Sequence, residues 1–211
     1  MTEALRRAGA FLQQLVLPDE CCGCGIAGPA LCATCRRALE PVLIWRTAAG
    51  LPVTSGLAYE GVAQRVVVAV KNEGRTGCAG PLVEALRVAV NAATFADDRQ
   101  VLLVPMPSTR RSAVERGYDP VRLLLRRARL PRADVLRLVR RPGDQVRLDR
   151  AARFANVASG MAARRALEGA RVLLVDDVVT TGATLGEAAR AVRAAGGTVL
   201  GAATVAATPR R

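Results

Sequence analysis

Two adjacent carboxylates, Asp176 and Asp177, followed by Thr180, Thr181, Gly182 and Thr184, form the densest group of chemistry-bearing residues in the chain. Paired acids can accept hydrogen bonds from the vicinal hydroxyls of a sugar. Hydroxyls and free backbone N–H groups around a glycine can surround an anion, which the backbone approaches closely where no Cβ intervenes. Before the acids, Val172, Leu173, Leu174 and Val175 form a continuous apolar run, the pattern of a strand buried on both faces. After the threonines, Leu185 to Val192 reads as a helix whose positive end points at the same anion. The expected arrangement is a strand that ends where the acids begin, at the carboxyl edge where open α/β sheets bind ligands. A phosphate loop then opens the helix. A ligand with a phosphate at one end and vicinal hydroxyls at the other fits this pattern, and ribose 5-phosphate is one. The plainer alternative is an acidic turn before a Thr-capped helix. Adjacent acids and three threonines around a glycine are more particular than a cap requires.

A second cluster lies near the amino end. Cys21-x2-Cys24 and Cys32-x2-Cys35 are two knuckle-like pairs separated by a short Gly- and Pro-containing loop, the spacing of a small structural zinc site. Cys22 could replace Cys21 in the ligand set, two disulfides or an iron–sulfur cluster are competing readings, and Cys78 reads as a small hydrophobe. Gly23 to Gly28 formally matches G-x-G-x-x-G, but no strand precedes it and no helix opens from it, so a dinucleotide site is excluded.

The 211 residues, 51% hydrophobic, suffice for one α/β domain with a small appendage. The formal net charge of +13 is carried almost wholly by Arg, and a compositional bias towards Arg and Ala weakens it as a sign of nucleic-acid binding. With no His, the commonest general base is absent, as is any His-containing metal site. Lys71 is the sole lysine, which suggests a compact ammonium aimed at phosphate or pyrophosphate oxygens; a solvated surface residue is the alternative. No run approaches the roughly twenty apolar residues of a membrane span, so no membrane insertion is expected. Leu5 to Leu17 reads as an amphipathic helix, and the reduced, clustered cysteines point to the cytoplasm.

The elements that would position these groups can be read in outline. Leu51 to Tyr59 reads as a strand leading to a turn at Gly61. Val66 to Val70 would pass for a strand on propensity. Leu82 to Ala92 reads as a helix with Leu82, Leu86 and Val90 on one face. Val101 to Val104 is a second buried strand, ending in Pro105-Met106-Pro107-Ser108-Thr109-Arg110-Arg111, where hydroxyls and guanidiniums could meet an anion such as pyrophosphate. A basic helix with Val121, Leu124 and Leu125 on its apolar side follows Arg116-Gly117-Tyr118-Asp119. Residues from about Leu136 to Asn156, Arg-rich and broken at Pro142-Gly143, read as a mobile segment in which Gln145, Arg153 and Asn156 could close over a ligand. A nucleobase pocket often needs a stacking aromatic, and with 3% aromatic content none can be located.

The stretch from Arg171 to Leu185 resembles the 5-phosphoribosyl-1-pyrophosphate (PRPP) motif of type I phosphoribosyltransferases. Together with the cysteine pairs, Tyr59 to Lys71, Val104-Pro105-Met106-Pro107, Arg116-Gly117-Tyr118 and Gln145…Arg153-x2-Asn156, it resembles the ComF family along almost the whole chain. The resemblance implies an α/β, type I phosphoribosyltransferase-like fold: a mostly parallel sheet flanked by helices, plus a small N-terminal zinc-binding module. Residues 1–48 would form the N-terminal helix and four-cysteine module, and 49–211 the phosphoribosyltransferase-like domain. It makes Val66 to Val70 part of a helix ending near Lys71. Asp176 and Asp177 would hold the ribose 2′ and 3′ hydroxyls, and Val178, Val179, Thr180, Thr181, Gly182, Ala183 and Thr184 the PRPP phosphate end. Lys71, Pro107, Ser108, Arg110, Arg116 and Arg153 are the pyrophosphate or loop candidates, Cys21, Cys24, Cys32 and Cys35 the zinc ligands, and Mg²⁺ arrives with PRPP. The implied activity is transfer of phosphoribosyl to an unidentified acceptor with release of pyrophosphate. Because some family members are linked to DNA uptake, a non-catalytic accessory that binds single-stranded DNA or DNA-uptake proteins is the alternative. The family's usual Arg-Gly-Phe-Asn appears here as Arg-Gly-Tyr-Asp, so Asp119 stands where an amide is usual.

Overall fold

The computed structural model describes residues 20–95, 97, 99–108, 117–139 and 160–209. The expected amino-terminal helix, Arg110, Arg116, Gln145, Arg153 and Asn156 lie outside the described residues.

The chain forms an α/β fold around a five-stranded sheet in the order β1-β2-β7-β6-β3. Its strands are β1 (Ile44–Ala48), β2 (Leu51–Ala58), β3 (Val101–Pro105), β6 (Arg171–Val179) and β7 (Thr198–Ala207). All neighbouring pairs are parallel except the β1–β2 hairpin. A short antiparallel ribbon, β4 (Leu136–Leu138) with β5 (Met161–Ala163), stands apart from it. Leu136–Leu138, expected to open a mobile segment, is therefore a strand, and the buried Leu136 and Met161 anchor the ribbon in the core. The edge strand β1 pairs with β2 across the expected boundary at 48/49, so the hairpin links the two parts of the chain.

Helices cover both faces of the sheet. Helices α2 (Gly61–Asn72), α3 (Gly80–Thr94) and α4 (Pro120–Arg127) lie on one face, and α5 (Ala183–Ala194) on the other. Alternation along β6 supplies both cores: Leu173 and Val175 join the first, Val172 and Leu174 the second. All four side chains are essentially solvent-free, and each such burial contributes about 1.5–3 kcal/mol. The β-branched run Val66 to Val70 lies in α2, where Ala63, Val66, Val67 and Val70 make one buried face. Three valines and an alanine on one helix face, packed into the first core, outweigh the weak strand preference of the segment.

The cysteine-containing segment, with the one-turn helix α1 (Ala33–Arg37), shares the first core through Leu31, Cys35 and Leu39. Arg65 of α2 donates to the Gly23 carbonyl, and Arg75, just beyond α2, donates to the Glu20 carbonyl, tying the segment to the body. No helix among the described residues is long and apolar enough to cross a membrane.

Candidate functional site

A cavity of 510 Å³ opens at the carboxyl ends of β2, β3 and β6. Tyr59 enters it from the end of β2, Pro107 and Ser108 from the turn after β3, and Asp176, Asp177 and Val178 from β6. Val67 and Lys71 reach it from α2, Asp119 and Val121 from the start of α4, and Thr180 and Thr184 from the loop before α5. The carboxylates and hydroxyls are hard oxygen donors, of the kind that suits Mg²⁺ or a sugar rather than a soft metal.

The acids do not follow the strand, as the sequence suggested, but belong to it. β7 is long enough to keep the ladder going, with Asp176 opposite Thr204 and Val178 opposite Ala206. Each carboxylate accepts from the next backbone N–H: Asp177 N–H to Asp176 Oδ1 and Val178 N–H to Asp177 Oδ1, both at 2.8 Å. Lys71 Nζ stands 2.5 Å from Asp177 Oδ2, so the sole lysine neutralises the second acid. Burial, reinforced by the neighbouring Asp177 charge, pushes the Asp176 carboxyl up to about 8, against the opposing pull of the Asp177 N–H and Lys71. Without a ligand, Asp176 therefore gives up its proton at a higher pH than an ordinary carboxyl.

Gly182 fixes the loop. Its φ of 80° is left-handed, and a Cβ there would lie 2.7 Å from the Ala48 Cβ. No other residue type fits both constraints. Thr181 Oγ1 accepts from the Ala183 N–H at 3.3 Å and closes the turn, while Thr180 and Thr184 remain exposed along the cavity. Val179 is buried in the second core, so its side chain serves packing.

Asp119 caps α4: Oδ1 accepts from the Arg122 N–H at 3.0 Å, and Oδ2 accepts from Ser108 Oγ at 2.6 Å. Asp and Asn rank alike as N-caps, so an acid here preserves what an amide would do for the helix. Ser108 is thereby fixed with its remaining acceptor capacity free. Tyr118 Oη donates to the Val70 carbonyl, joining this turn to the last turn of α2 beside Lys71. The sequence did not single out Tyr59 as a cavity residue. It reads there as the end of a strand and the start of the segment Tyr59 to Lys71, and its place in the cavity depends on β2 lying beside β7, 149 residues away at the Ser55–Thr204 contact.

The four cysteine sulfurs of Cys21, Cys24, Cys32 and Cys35 lie within 4.8 Å of one another. The Cys24 and Cys32 sulfurs are 3.9 Å apart, close to the ~3.8 Å edge of a tetrahedron with metal–sulfur bonds of ~2.3 Å. Cys21 Sγ accepts from the Gly23 and Cys32 N–H groups, and Cys32 Sγ from that of Cys35. Burial pushes the Cys21 thiol up, but these backbone donors, with that of Cys24 and the Cys24 thiol, outweigh it and bring the thiol down to about 6. Burial and the neighbouring thiols push Cys35 up to about 12. The donor set thus fits a soft tetrahedral cation that draws off the remaining thiol protons. Cys22 is outside this set; its thiol meets that of Cys78, which also donates to the Arg75 carbonyl at 3.0 Å.

Residues 115–211 match the family model described as the phosphoribosyl transferase domain, a span that includes β6, both acids and the loop before α5. No curated protein matches the chain. Among solved structures, the chain is similar to an adenine phosphoribosyltransferase, with 15% identity, 82% of this chain and 89% of that chain covered and a TM-score of 0.41. It is also similar to the adenine phosphoribosyltransferase from Rhodothermus marinus DSM 4252, at 18% identity over 82% of this chain and 86% of that one, with a TM-score of 0.36. A third, from Thermoanaerobacter pseudethanolicus ATCC 33223, is 20% identical, covers 69% of this chain and 74% of that one, and has a TM-score of 0.34. The carboxy-terminal part of the chain is thus similar in sequence to phosphoribosyl transferase domains, on an α/β fold with a mostly parallel sheet.

Proposed function

We propose that the protein is a phosphoribosyltransferase-like protein of ComF type, which binds PRPP with Mg²⁺ and transfers its phosphoribosyl group to an acceptor, releasing pyrophosphate. The observation that carries this reading is the meeting, in one cavity, of the Asp176–Asp177 pair, the Thr180–Thr184 loop at the start of α5, and Ser108 after β3. In this reading the acids hold the ribose 2′ and 3′ hydroxyls. The loop from Val178 to Thr184 receives the 5-phosphate on backbone N–H groups and hydroxyls, at the positive end of the helix. Lys71, displaced from Asp177 by the sugar hydroxyls, turns its ammonium to phosphate or pyrophosphate oxygens. Pro107 and Ser108 lie on the pyrophosphate side, and Arg110, Arg116 and Arg153 are assigned to it from sequence.

In the reaction, the acceptor's lone pair forms a bond to C1 of the ribose. The C1–O bond to pyrophosphate breaks, and its electron pair leaves on the pyrophosphate. Positioning of the two partners and stabilisation of the leaving charge by fixed donors supply the rate. Mg²⁺, when bound with the substrate, screens the pyrophosphate charge. Tyr59, Val67 and Val121 offer the acceptor a partly aromatic, apolar surface. Zn²⁺ on Cys21, Cys24, Cys32 and Cys35 is assigned a structural role, because four thiolates leave no open coordination position.

A thermal-shift titration with PRPP and Mg²⁺ tests the reading. A saturable rise in Tm, absent from Asp176→Asn/Asp177→Asn, is expected. No rise in folded protein would contradict it and favour the accessory role with single-stranded DNA or a DNA-uptake protein as partner.

A further inference from the structure

The loop that opens α5 does not stand alone: the β1–β2 hairpin lies directly beneath it. Ala49 and Gly50, at φ 50° and 71°, make the tight two-residue turn that joins antiparallel strands without splaying them. Ala48 presses against the Gly182 backbone, and Ala49 against Gly186 in the first turn of α5, where an added Cβ would come within 3.0 Å of the Ala49 Cβ. Two glycines of the loop and helix thus face two alanines of the turn. The left-handed φ of Ala49 is one that residues with a Cβ rarely adopt, and the hairpin retains it at its contact with this helix.

Arg46, on β1, completes the contact. Its Nη1 donates to the Thr208 carbonyl at 3.1 Å and its Nη2 to the Thr180 carbonyl. Thr180 follows the last residue of β6 and Thr208 the last residue of β7, so both carbonyls stand where the ladder runs out. One planar guanidinium joins the two strand ends at the point where the loop departs. Its Nε is buried and has no hydrogen-bond partner among the described residues, so the polar contacts of the side chain there run to the two carbonyls. Arg46 does not line the cavity, and its action on a ligand passes through Thr180.

We infer that Arg46 is a positioning residue that latches the loop onto the hairpin and presets it for a phosphate-bearing ligand. This rests on the reading of the loop as a phosphate site. A preset loop loses less conformational freedom on binding, so the latch raises affinity without touching the ligand.

Two measurements on the full chain test it. In the ligand-free protein, Arg46→Ala should speed hydrogen exchange at residues 180–186 while β6 and β7 stay protected. The same variant should raise the Kd for ribose 5-phosphate and for Mg-PRPP alike, by about tenfold, the loss expected for a charge-assisted pair. Millimolar guanidinium should restore part of that affinity, which it would not do for a general loss of fold. Arg46→Lys, without a planar fork, should fall between, and it carries the test should Arg46→Ala not fold. Unchanged loop exchange with unchanged Kd in a folded variant would overturn the inference. Should the wild type bind neither ligand, the phosphate reading fails, and faster exchange confined to 180–186 would still establish the latch.

Discussion

Asp176 and Asp177 are chemically identical and adjacent, yet their surroundings set them apart. Asp177 is answered by Lys71, whereas Asp176, partly buried in the cavity wall beside another carboxylate, is raised to about 8. An unfolded aspartate titrates near 3.9, so between about pH 4 and pH 8 the folded state holds a proton that the unfolded state has released. Stability should therefore fall as pH rises through that window and level off above it. Asp176→Asn should flatten the fall in denaturant titrations; an unchanged slope would reassign it to other groups. Gly182 gives a second prediction at this scale. Gly182→Ala must accept both a left-handed φ and a contact of 2.7 Å with Ala48, at a cost of about 1–3 kcal/mol with weakened PRPP binding. A variant as stable as the wild type, by chemical denaturation, would mean that the hairpin yields. The acids and the loop were legible from residue types alone because their chemistry is local. Arg46 was not, since its partner Thr180 is 134 residues away.

At the scale of elements, Asp119 performs two tasks with one side chain, capping α4 and orienting Ser108. Asp119→Ala should cost about 1 kcal/mol of stability through the lost cap, whereas Asp119→Asn should restore most of it. Equal losses in the two variants, measured by thermal denaturation, would place the stability in the charge instead of the cap. The strands β3 and β6 could be read from their apolar runs, since burial on both faces leaves little other choice. Val66 to Val70 shows the limit of such reading. Its β-branched residues favour a strand, but the helix turns Ala63, Val66, Val67 and Val70 to one core. Likewise, the three-residue ribbon strand Leu136–Leu138 is too short for a periodic signal, and it forms because its partner Met161–Ala163 is held in place, the Met161 N–H donating to Glu187.

Across the whole molecule, the cysteine segment and the sheet are parts of one packed body. Leu31, Cys35 and Leu39 share a core with α2 and α3, and Arg65 and Arg75 join the same surfaces. Metal at such a site contributes on the order of 10–16 kcal/mol to folding. Cys24→Ser/Cys35→Ser should therefore release the metal and lower the Tm of the main body along with the segment. Full zinc stoichiometry in that variant would contradict the four-cysteine assignment. The cluster was legible because knuckle spacing is short-range; that its core is shared with α2 and α3 was not, because that depends on side chains far along the chain.

The cavity at the ends of β2, β3 and β6 is proposed to bind PRPP through the β6 acids and the following loop. Calorimetric titration of Mg-PRPP into the wild type and Asp176→Asn/Asp177→Asn tests it most directly. One saturable site is expected in the wild type, competed by ribose 5-phosphate, with binding weakened at least about tenfold in the folded variant. Equal affinity in both proteins, or no binding to the wild type, would contradict it.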